Sequence, residues 1–325
     1  MSVQLLVFYP ADKIQAAKIH LLEHLVAKGS SQKIDFPLES SGLYLSASTQ
    51  DHLLKFAIDG NPEALEKALS ALKQILTPLN ISSKELAKEI NILKEEKEYS
   101  KIYNPESINA SSLFDHFEQL EKLSLIDLEA LRKKIFQAEY LTLSISGPFD
   151  QNYIEKMVQK IFPFLIQKYR LSLDFSPKKE RKVFCNTKIY SVPMLGLEDP
   201  ESLAMLVAGL IITYYYPDFQ LVYTPSVHPT YLTIYSKKAL SIHPKTVHEI
   251  KQLINLKTTG IELACKWIQS FLINPSQRAY FMGILSRGYL GLTPEKIILK
   301  LKNISDPEIE KALKLFPIIS AQIKI

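Results

Sequence analysis

The chain has 325 residues, of which 46% are hydrophobic and 22% are charged. This composition excludes an intrinsically disordered chain and predicts a soluble protein with a real core, and the length predicts two domains. The net charge is +5. Because the lysines are scattered among glutamates and form no basic stripe, we expect no nucleic-acid partner.

The two cysteines, Cys185 and Cys265, are far apart and have no paired spacing. Neither a disulfide framework nor a thiolate zinc site is therefore expected. The first apolar run follows no basic segment, and the apolar stretch 203–216 is too short to span a bilayer. We expect a buried helix at 203–216, no membrane association and a cytoplasmic location.

The first half predicts four strands and four helices in alternating groups. The strands are expected near 3–9, 42–48, 53–58 and 141–147, and the helices near 13–28, 62–76, 83–101 and 125–137. Since a short polar turn joins the second and third strands, the fold class is predicted to be α+β. Each domain should contain a mixed, mostly antiparallel sheet with helices packed on one face.

A weak internal repeat indicates that the second half has the same organisation. The segment after Ser124 resembles the segment after Ser305, at an offset of 181, and in each a serine precedes an amphipathic helix. The Asn-Pro pair at 61–62 likewise matches a His-Pro pair at 243–244. We therefore predict two homologous domains, at 1–165 and 183–325, joined by a polar linker at 166–182.

The most informative pattern is His-x-x-Glu-His at residues 20–24, within a helix predicted to end at Gly29. Residues four apart on a helix lie one above the other, so His20 and His24 can bind one zinc ion. Glu23 lies beside them and can accept a proton from a water molecule that the metal activates. The alternative is a helix with two solvated histidines and a glutamate.

A catalytic zinc ion needs a third protein ligand. In the helix near 83–101 the apolar stripe runs through Leu86, Ile90 and Leu93, and Glu96 extends it. A carboxylate on a core-facing stripe needs a cationic partner, so Glu96 is the predicted third ligand. Glu95 and Glu98 stay open as alternatives.

With these residues the chain resembles the pitrilysin family of zinc peptidases (family M16), which includes the mitochondrial processing peptidase. The resemblance lies in the motif with its trailing Lys-Gly pair, the glycine-led strand at 42–48, the glutamate-bearing helix and the strand near 139–150. In this family the third ligand lies some seventy to eighty residues past the second histidine. Glu96 lies 72 residues past His24.

The resemblance implies a processing-peptidase-like metallohydrolase fold, a zinc cofactor, and a peptide bound as an added strand along 42–48. Ser46 and Ala47 would then contact the substrate backbone, although the family usually has Asn at position 46. The second half would carry no metal. The family also has an Arg and a Tyr seven residues apart for the substrate carbonyl. Tyr223 matches the Tyr, but Tyr216 stands at the Arg position.

The predicted function is a zinc-dependent endopeptidase that hydrolyses peptides or unfolded segments, with Glu23 as base and Tyr223 as oxyanion donor. The alternative is a catalytically weak or silent peptide-binding subunit that needs an active partner of the same family. Tyr216 favours the alternative, because the chain lacks the family's Arg at this position and a partner could supply it. The expected partners are a peptide substrate and a related subunit in a homodimer or heterodimer. A third hypothesis is a maturation enzyme with one dedicated substrate.

Overall fold

The protein divides into two compact units. The first comprises Met1–Leu173 together with Arg278–Gly283, and the second comprises Asp174–Gln277 together with Ile284–Ile325. The predicted linker lies outside the described residues, and the predicted domain limits stay a prediction. The computed structural model describes residues 1–9, 16–50, 53–103, 114, 117–165, 184–185, 189–194, 196–225, 230–236, 255–288 and 292–316.

The first unit contains a four-stranded sheet in the order β2-β3-β1-β4, and every pairing between neighbours is antiparallel. The strands lie close to their predicted positions, so the α+β class is confirmed. They are β1 (Ser2–Phe8), β2 (Leu43–Gln50), β3 (Leu53–Gly60) and β4 (Leu141–Ser146). The helices are α1 (Ala16–Glu39), α2 (Leu65–Ile75), α3 (Ser83–Tyr103), α4 (Leu125–Ile135) and α5 (Gln151–Ile161).

The predicted end of α1 at Gly29 is wrong, because the helix continues to Glu39. A glycine inside a helix costs about 1 kcal/mol relative to alanine, which is a weak signal. Tertiary contacts readily override this cost. Leu38, near the end of α1, is 3% exposed and belongs to the main core, the hydrophobic cluster that contains the inward-facing residues of the first sheet.

Two sides of α1 are buried against different partners. Ile19, Leu22 and Val26 belong to the core that includes the inward-facing residues of the sheet. Leu21 and Leu25 belong to a second cluster that contains Leu86 and Leu93 of α3, among other residues. Helix α1 is thus held between the sheet and α3, and this position determines where its polar side chains lie.

The opposite face of the sheet is contacted by Arg278–Gly283. The hydroxyl of Ser144 on β4 donates to the carbonyl of Ala279 at 2.6 Å. A side chain at Gly283 would collide with Leu6 of β1. Both faces of β1 are therefore covered, and all its residues are buried.

The second unit contains another antiparallel four-stranded sheet, in the order β5-β6-β8-β7. Its strands are β5 (Phe184–Cys185), β6 (Ile189–Met194), β7 (Phe219–Val222) and β8 (Thr230–Ser236). Its helices are α6 (Pro200–Tyr215), α7 (Leu256–Ile273), α8 (Pro275–Gly288), α9 (Pro294–Lys302) and α10 (Asp306–Leu315), of which α8 also contributes its central residues to the first unit.

The apolar stretch at 203–216 forms most of α6, in which ten residues are buried, so the predicted buried helix is confirmed. Asp199 caps the start of this helix by accepting a hydrogen bond from the backbone N–H of Ser202. Among the residues that the structure describes, no helix is long and apolar enough to cross a membrane.

The two units share local features that agree with the proposed repeat. Ser124 and Ser305 both begin their helices with a capping box, formed with Asp127 and Glu308 respectively. The order strand, helix, strand, strand also occurs in both, as β1-α1-β2-β3 and β6-α6-β7-β8. The pair at 243–244 lies outside the described residues, and homology between the units stays a prediction.

Candidate metal centre

His20 and His24 lie on one face of α1, as the motif predicts. Their rings are 5.0 Å apart and nearly perpendicular, at 83°. The side chains are 13% and 7% exposed. Because α1 packs between the sheet and α3, both imidazoles are directed toward α3 rather than into open solvent.

Glu96 of α3 completes the cluster. Its Oε2 atom lies 3.6 Å from Nε2 of His20 and 3.6 Å from Nε2 of His24. The three residues are the group of potential metal ligands found in the described part of the chain. Glu95 and Glu98, the alternatives on the same helix, are exposed.

The spacing of these atoms fits a zinc ion. Two ligand atoms at about 2.1 Å from a tetrahedral ion lie about 3.4 Å apart. The two separations between Glu96 and the histidines are 3.6 Å, and the ligand atoms of all three residues lie within 4.8 Å of one another. Two imidazoles and one carboxylate form a donor set found in catalytic zinc sites, and three protein ligands leave a fourth position for water or substrate. The residues present therefore fit the metal that the motif predicts.

Glu89 contacts the nitrogen of His24 that faces away from Glu96. Its Oε2 atom lies 3.2 Å from Nδ1 of His24, and its side chain is 10% exposed. A carboxylate at Nδ1 accepts a hydrogen bond from the N–H of that nitrogen, so Nε2 keeps a lone pair for the metal. The pair orients the ring and selects its tautomer.

Glu23 is buried beside the histidines and is 8% exposed. Its Oε2 atom accepts a hydrogen bond of 2.6 Å from Oγ1 of Thr49 on β2. A carboxylate in this place can take up a proton, which is the role predicted for Glu23.

Phe114 and Lys55 also lie near residues of the motif. The ring of Phe114 lies edge-on to His20, with 5.6 Å between the ring centroids. Burial lowers the pKa of Lys55 on β3, while the negative charges of Asp59 and Glu23 act in the opposite direction. Lys55 also lies 5.5 Å from the ring centroid of Tyr280.

The predicted substrate-binding residues Ser46 and Ala47 lie on β2, at one end of the sheet order. Ser46 is exposed, whereas Ala47 is partly buried against the main core. Gly42 precedes the strand with φ 69°, a conformation that favours glycine. An edge strand of this kind can accept a further strand through its backbone groups.

Tyr216 and Tyr223 lie in the second unit. Tyr216 is partly exposed at the end of α6, and its ring lies 5.5 Å from that of Phe219. Tyr223 is 5% exposed, and its ring stacks on Trp267 at 5.7 Å and 23°. In this unit Tyr223 therefore contributes to packing through its ring, and its predicted contact with a substrate carbonyl stays a prediction.

Glu89 and Thr49 were not predicted from the sequence as functional residues. Glu89 lies three residues after Leu86 and four before Leu93, so the argument that selected Glu96 also applies to it. Thr49 continues the inward-facing alternation of Leu43, Leu45 and Ala47 along β2, and a polar residue at such a position needs a partner. Both signals were present in the residue spacing.

Comparison with known proteins finds similarity to M16 peptidases. Residues 18–124 match a family model described as Insulinase (Peptidase family M16). The probable mitochondrial-processing peptidase subunit beta of Schizosaccharomyces pombe is 26% identical over 163 residues, which cover 45% of this chain and 36% of that protein. The mitochondrial-processing peptidase subunit beta of Saccharomyces cerevisiae is 24% identical over 189 residues, covering 51% and 40%. The matches thus span less than half the length of these relatives.

Three solved structures resemble the whole fold, each over 97% of this chain. A protease from Helicobacter pylori has a TM-score of 0.75 at 11% identity, with 91% of that chain covered. An M16-like peptidase from Alicyclobacillus acidocaldarius has 0.68 at 13%, with 89% covered. A peptidase M16 inactive domain from Pseudomonas fluorescens has 0.68 at 12%, also with 89% covered. At these identities the similarity establishes the fold alone.

Proposed function

We propose that this chain, which belongs to peptidase family M16, is a zinc-dependent endopeptidase that hydrolyses peptides or unfolded segments. The observation that carries the proposal is the convergence of His20, His24 and Glu96. Residues from two helices, separated by 72 positions between His24 and Glu96, present three ligand atoms to one point. A purely structural pair of helices has no need of this arrangement.

In the proposed site the Nε2 atoms of both histidines and a carboxylate oxygen of Glu96 would hold a zinc ion. A zinc ion with an open position lowers the pKa of water and polarises a carbonyl group. Glu89 holds the His24 ring with its proton on Nδ1. These residues would bind the metal and orient its ligands.

Glu23 moves the proton in the proposed reaction. Its carboxylate accepts a proton from the attacking water and then donates it to the nitrogen of the leaving amine. Burial at 8% exposure keeps this carboxylate away from bulk water. The substrate would lie as an added strand alongside β2, which carries Ser46 and Ala47.

The test combines metal analysis with a peptidase assay on the purified chain. We expect about one zinc per chain and cleavage of a quenched peptide that a chelator abolishes and added zinc restores. Glu23→Gln is the control, because it should keep zinc while losing turnover. A chain that binds no zinc, or turnover that persists in Glu23→Gln, would contradict the proposal.

A second candidate function is that of a subunit with weak activity on its own. Two observations favour it: Tyr216 occupies the position where the family has Arg, and the ring of Tyr223 is packed on Trp267. The two curated relatives are both named as subunits of a processing peptidase. We therefore propose that a related subunit, in a homodimer or heterodimer, supplies the missing groups. Full turnover by the isolated monomer would contradict this second candidate.

A further inference from the structure

Thr49 is hydrogen-bonded to the predicted general base. Its Oγ1 atom donates to Oε2 of Glu23 at 2.6 Å, and each residue is 8% exposed. This distance is in the range of hydrogen bonds between a hydroxyl and an ionised carboxylate, which are stronger than neutral ones. We propose that Thr49 is a positioning residue that holds Glu23 in its reactive orientation, an inference that rests on the proposed function.

A glutamate needs such a partner because it has three rotatable side-chain bonds. A contact such as the one from Thr49 reduces the number of rotamers that Glu23 samples, and only some rotamers direct a carboxylate oxygen at the reacting water. The bond from Thr49 restricts this freedom through one oxygen. A carboxylate has about four acceptor positions, so Glu23 keeps the capacity to accept a proton.

Thr49 is itself held firmly by its strand. It pairs with Leu54 of β3, and the next residue, Gln50, accepts a hydrogen bond of 2.6 Å at its carbonyl from the hydroxyl of Tyr9. Tyr9 is fully buried. The end of β2 is thus attached at two adjacent residues, one to Glu23 and one to Tyr9. Because the substrate is proposed to add to β2, Thr49 connects the strand that aligns the peptide with the group that acts on it.

These contacts supply a matched set of variants. Thr49→Val removes the hydroxyl and keeps the branched shape, whereas Thr49→Ser keeps the hydroxyl. Tyr9→Phe removes the neighbouring attachment of the strand but leaves the bond to Glu23 intact. If Thr49→Val does not fold, Thr49→Ala removes the same donor without placing a methyl group against the carboxylate of Glu23.

In the zinc-loaded enzyme, Thr49→Val should lower kcat about tenfold to a hundredfold, with KM for a quenched peptide and zinc content unchanged. Thr49→Ser should restore most of the turnover. Tyr9→Phe should lower thermal stability without a comparable loss of kcat. A wild-type kcat in both Thr49→Val and Thr49→Ala would overturn the proposal. So would a loss of kcat in Thr49→Ser and Tyr9→Phe as large as the loss in Thr49→Val.

Crystal structures of the same variants give a readout that does not require activity. Glu23 should occupy one conformer in the wild type, Thr49→Ser and Tyr9→Phe, and several conformers in Thr49→Val. A wild type that loads zinc but cleaves no peptide would refute the proposed function, and the conformers of Glu23 would still test the role of Thr49. An unchanged Glu23 conformer in Thr49→Val would overturn that role whatever the activity.

Discussion

Nδ1 of His24 lies 3.2 Å from Oε2 of Glu89, and both side chains are buried. The opposite nitrogen of the same ring lies 3.6 Å from Glu96. Glu89 and Glu96 are seven residues apart on α3, which is about two helical turns, so both lie on the side of the helix that packs on α1. One helix thus supplies a candidate ligand and the group that orients another ligand.

Removal of the orienting group should weaken zinc binding. Glu89→Leu leaves the His24 ring without its acceptor, so we expect zinc affinity to fall about tenfold to a hundredfold. Glu89→Gln should have a smaller effect, because its amide oxygen can still accept from Nδ1. Competition with a chromophoric chelator measures both values. The exposed Glu95→Leu on the same helix is the control, and an equal effect there would contradict the assigned role of Glu89.

Removal of the third ligand should have a larger effect on the metal. Glu96→Gln replaces an anionic ligand with a neutral amide, so zinc affinity should fall more than in Glu89→Gln. Glu95→Gln and Glu98→Gln should leave it unchanged, because both residues are exposed. The same competition titration decides the matter. If Glu98→Gln loses zinc and Glu96→Gln retains it, the ligand assignment on α3 is wrong.

Sequence patterns predicted the proximity of the three candidate metal ligands because each pattern has a direct physical cause. Helical spacing places His20 beside His24, and the apolar stripe of α3 directs Glu96 toward α1. The partner of a buried polar group is harder to predict. Thr49 meets Glu23 because α1 packs on β2, and a hydrogen bond between residues 26 positions apart is decided by tertiary structure.

The wrong prediction of a helix end at Gly29 has a physical explanation. Gly29 is a weak helix stop, since the cost of one glycine is small compared with the packing of a long helix. The role of Tyr223 was assigned from its alignment with the family, but its ring is stacked on Trp267. A resemblance gives the identity of a residue and not the extent of its burial, and the role of Tyr223 as oxyanion donor stays a prediction.

The base should be separable from the metal ligands. In Glu23→Gln the fold and the zinc content should stay at wild-type level, while kcat falls by a factor on the order of a thousand or more, because an amide cannot accept the proton. Thermal denaturation and metal analysis check the first expectation, and turnover of a quenched peptide checks the second. Loss of zinc in this variant would indicate that Glu23 is a ligand instead of a base.

A buried arginine should contribute strongly to the stability of the first unit. Arg132 is 6% exposed, donates to the carbonyl of Leu76 at 2.6 Å and forms two hydrogen bonds with Glu129. Arg132→Met removes the donor to that carbonyl and two hydrogen bonds to Glu129, which keeps the one from the backbone N–H of Leu79. We therefore expect a loss of about 2 kcal/mol in the free energy of unfolding. Urea denaturation measures it. The exposed Lys134→Met on the same helix should change stability by less than about 0.5 kcal/mol.

The same pair should make stability depend on acid pH. The hydrogen bonds from Arg132 lower the pKa of Glu129, so the folded state favours the ionised carboxylate. Its contribution is complete above the unfolded pKa of about 4.3 and is lost as the pH falls through the lower folded value. Between about pH 5 and pH 3, Arg132→Met should therefore lose less stability than the wild type. If the free energy of unfolding fell equally in the two proteins over this pH range, the Arg132–Glu129 pair would not be the source of the pH dependence.

The last prediction concerns the missing Arg. A donor for the substrate carbonyl oxygen contributes about 3 kcal/mol to catalysis of acyl transfer, so an enzyme with Tyr216 in place of Arg should turn over slowly on its own. Adding a related subunit that carries the Arg and Tyr pair should raise kcat about a hundredfold without changing the zinc content. Size-exclusion chromatography with light scattering identifies the complex, and a quenched peptide measures its turnover. Tyr216→Arg in the isolated chain should recover part of this gain, whereas Tyr214→Arg, at an exposed neighbouring position, should recover none. A monomer that turns over as fast as the mixture would refute the need for a partner and leave the zinc assignment intact.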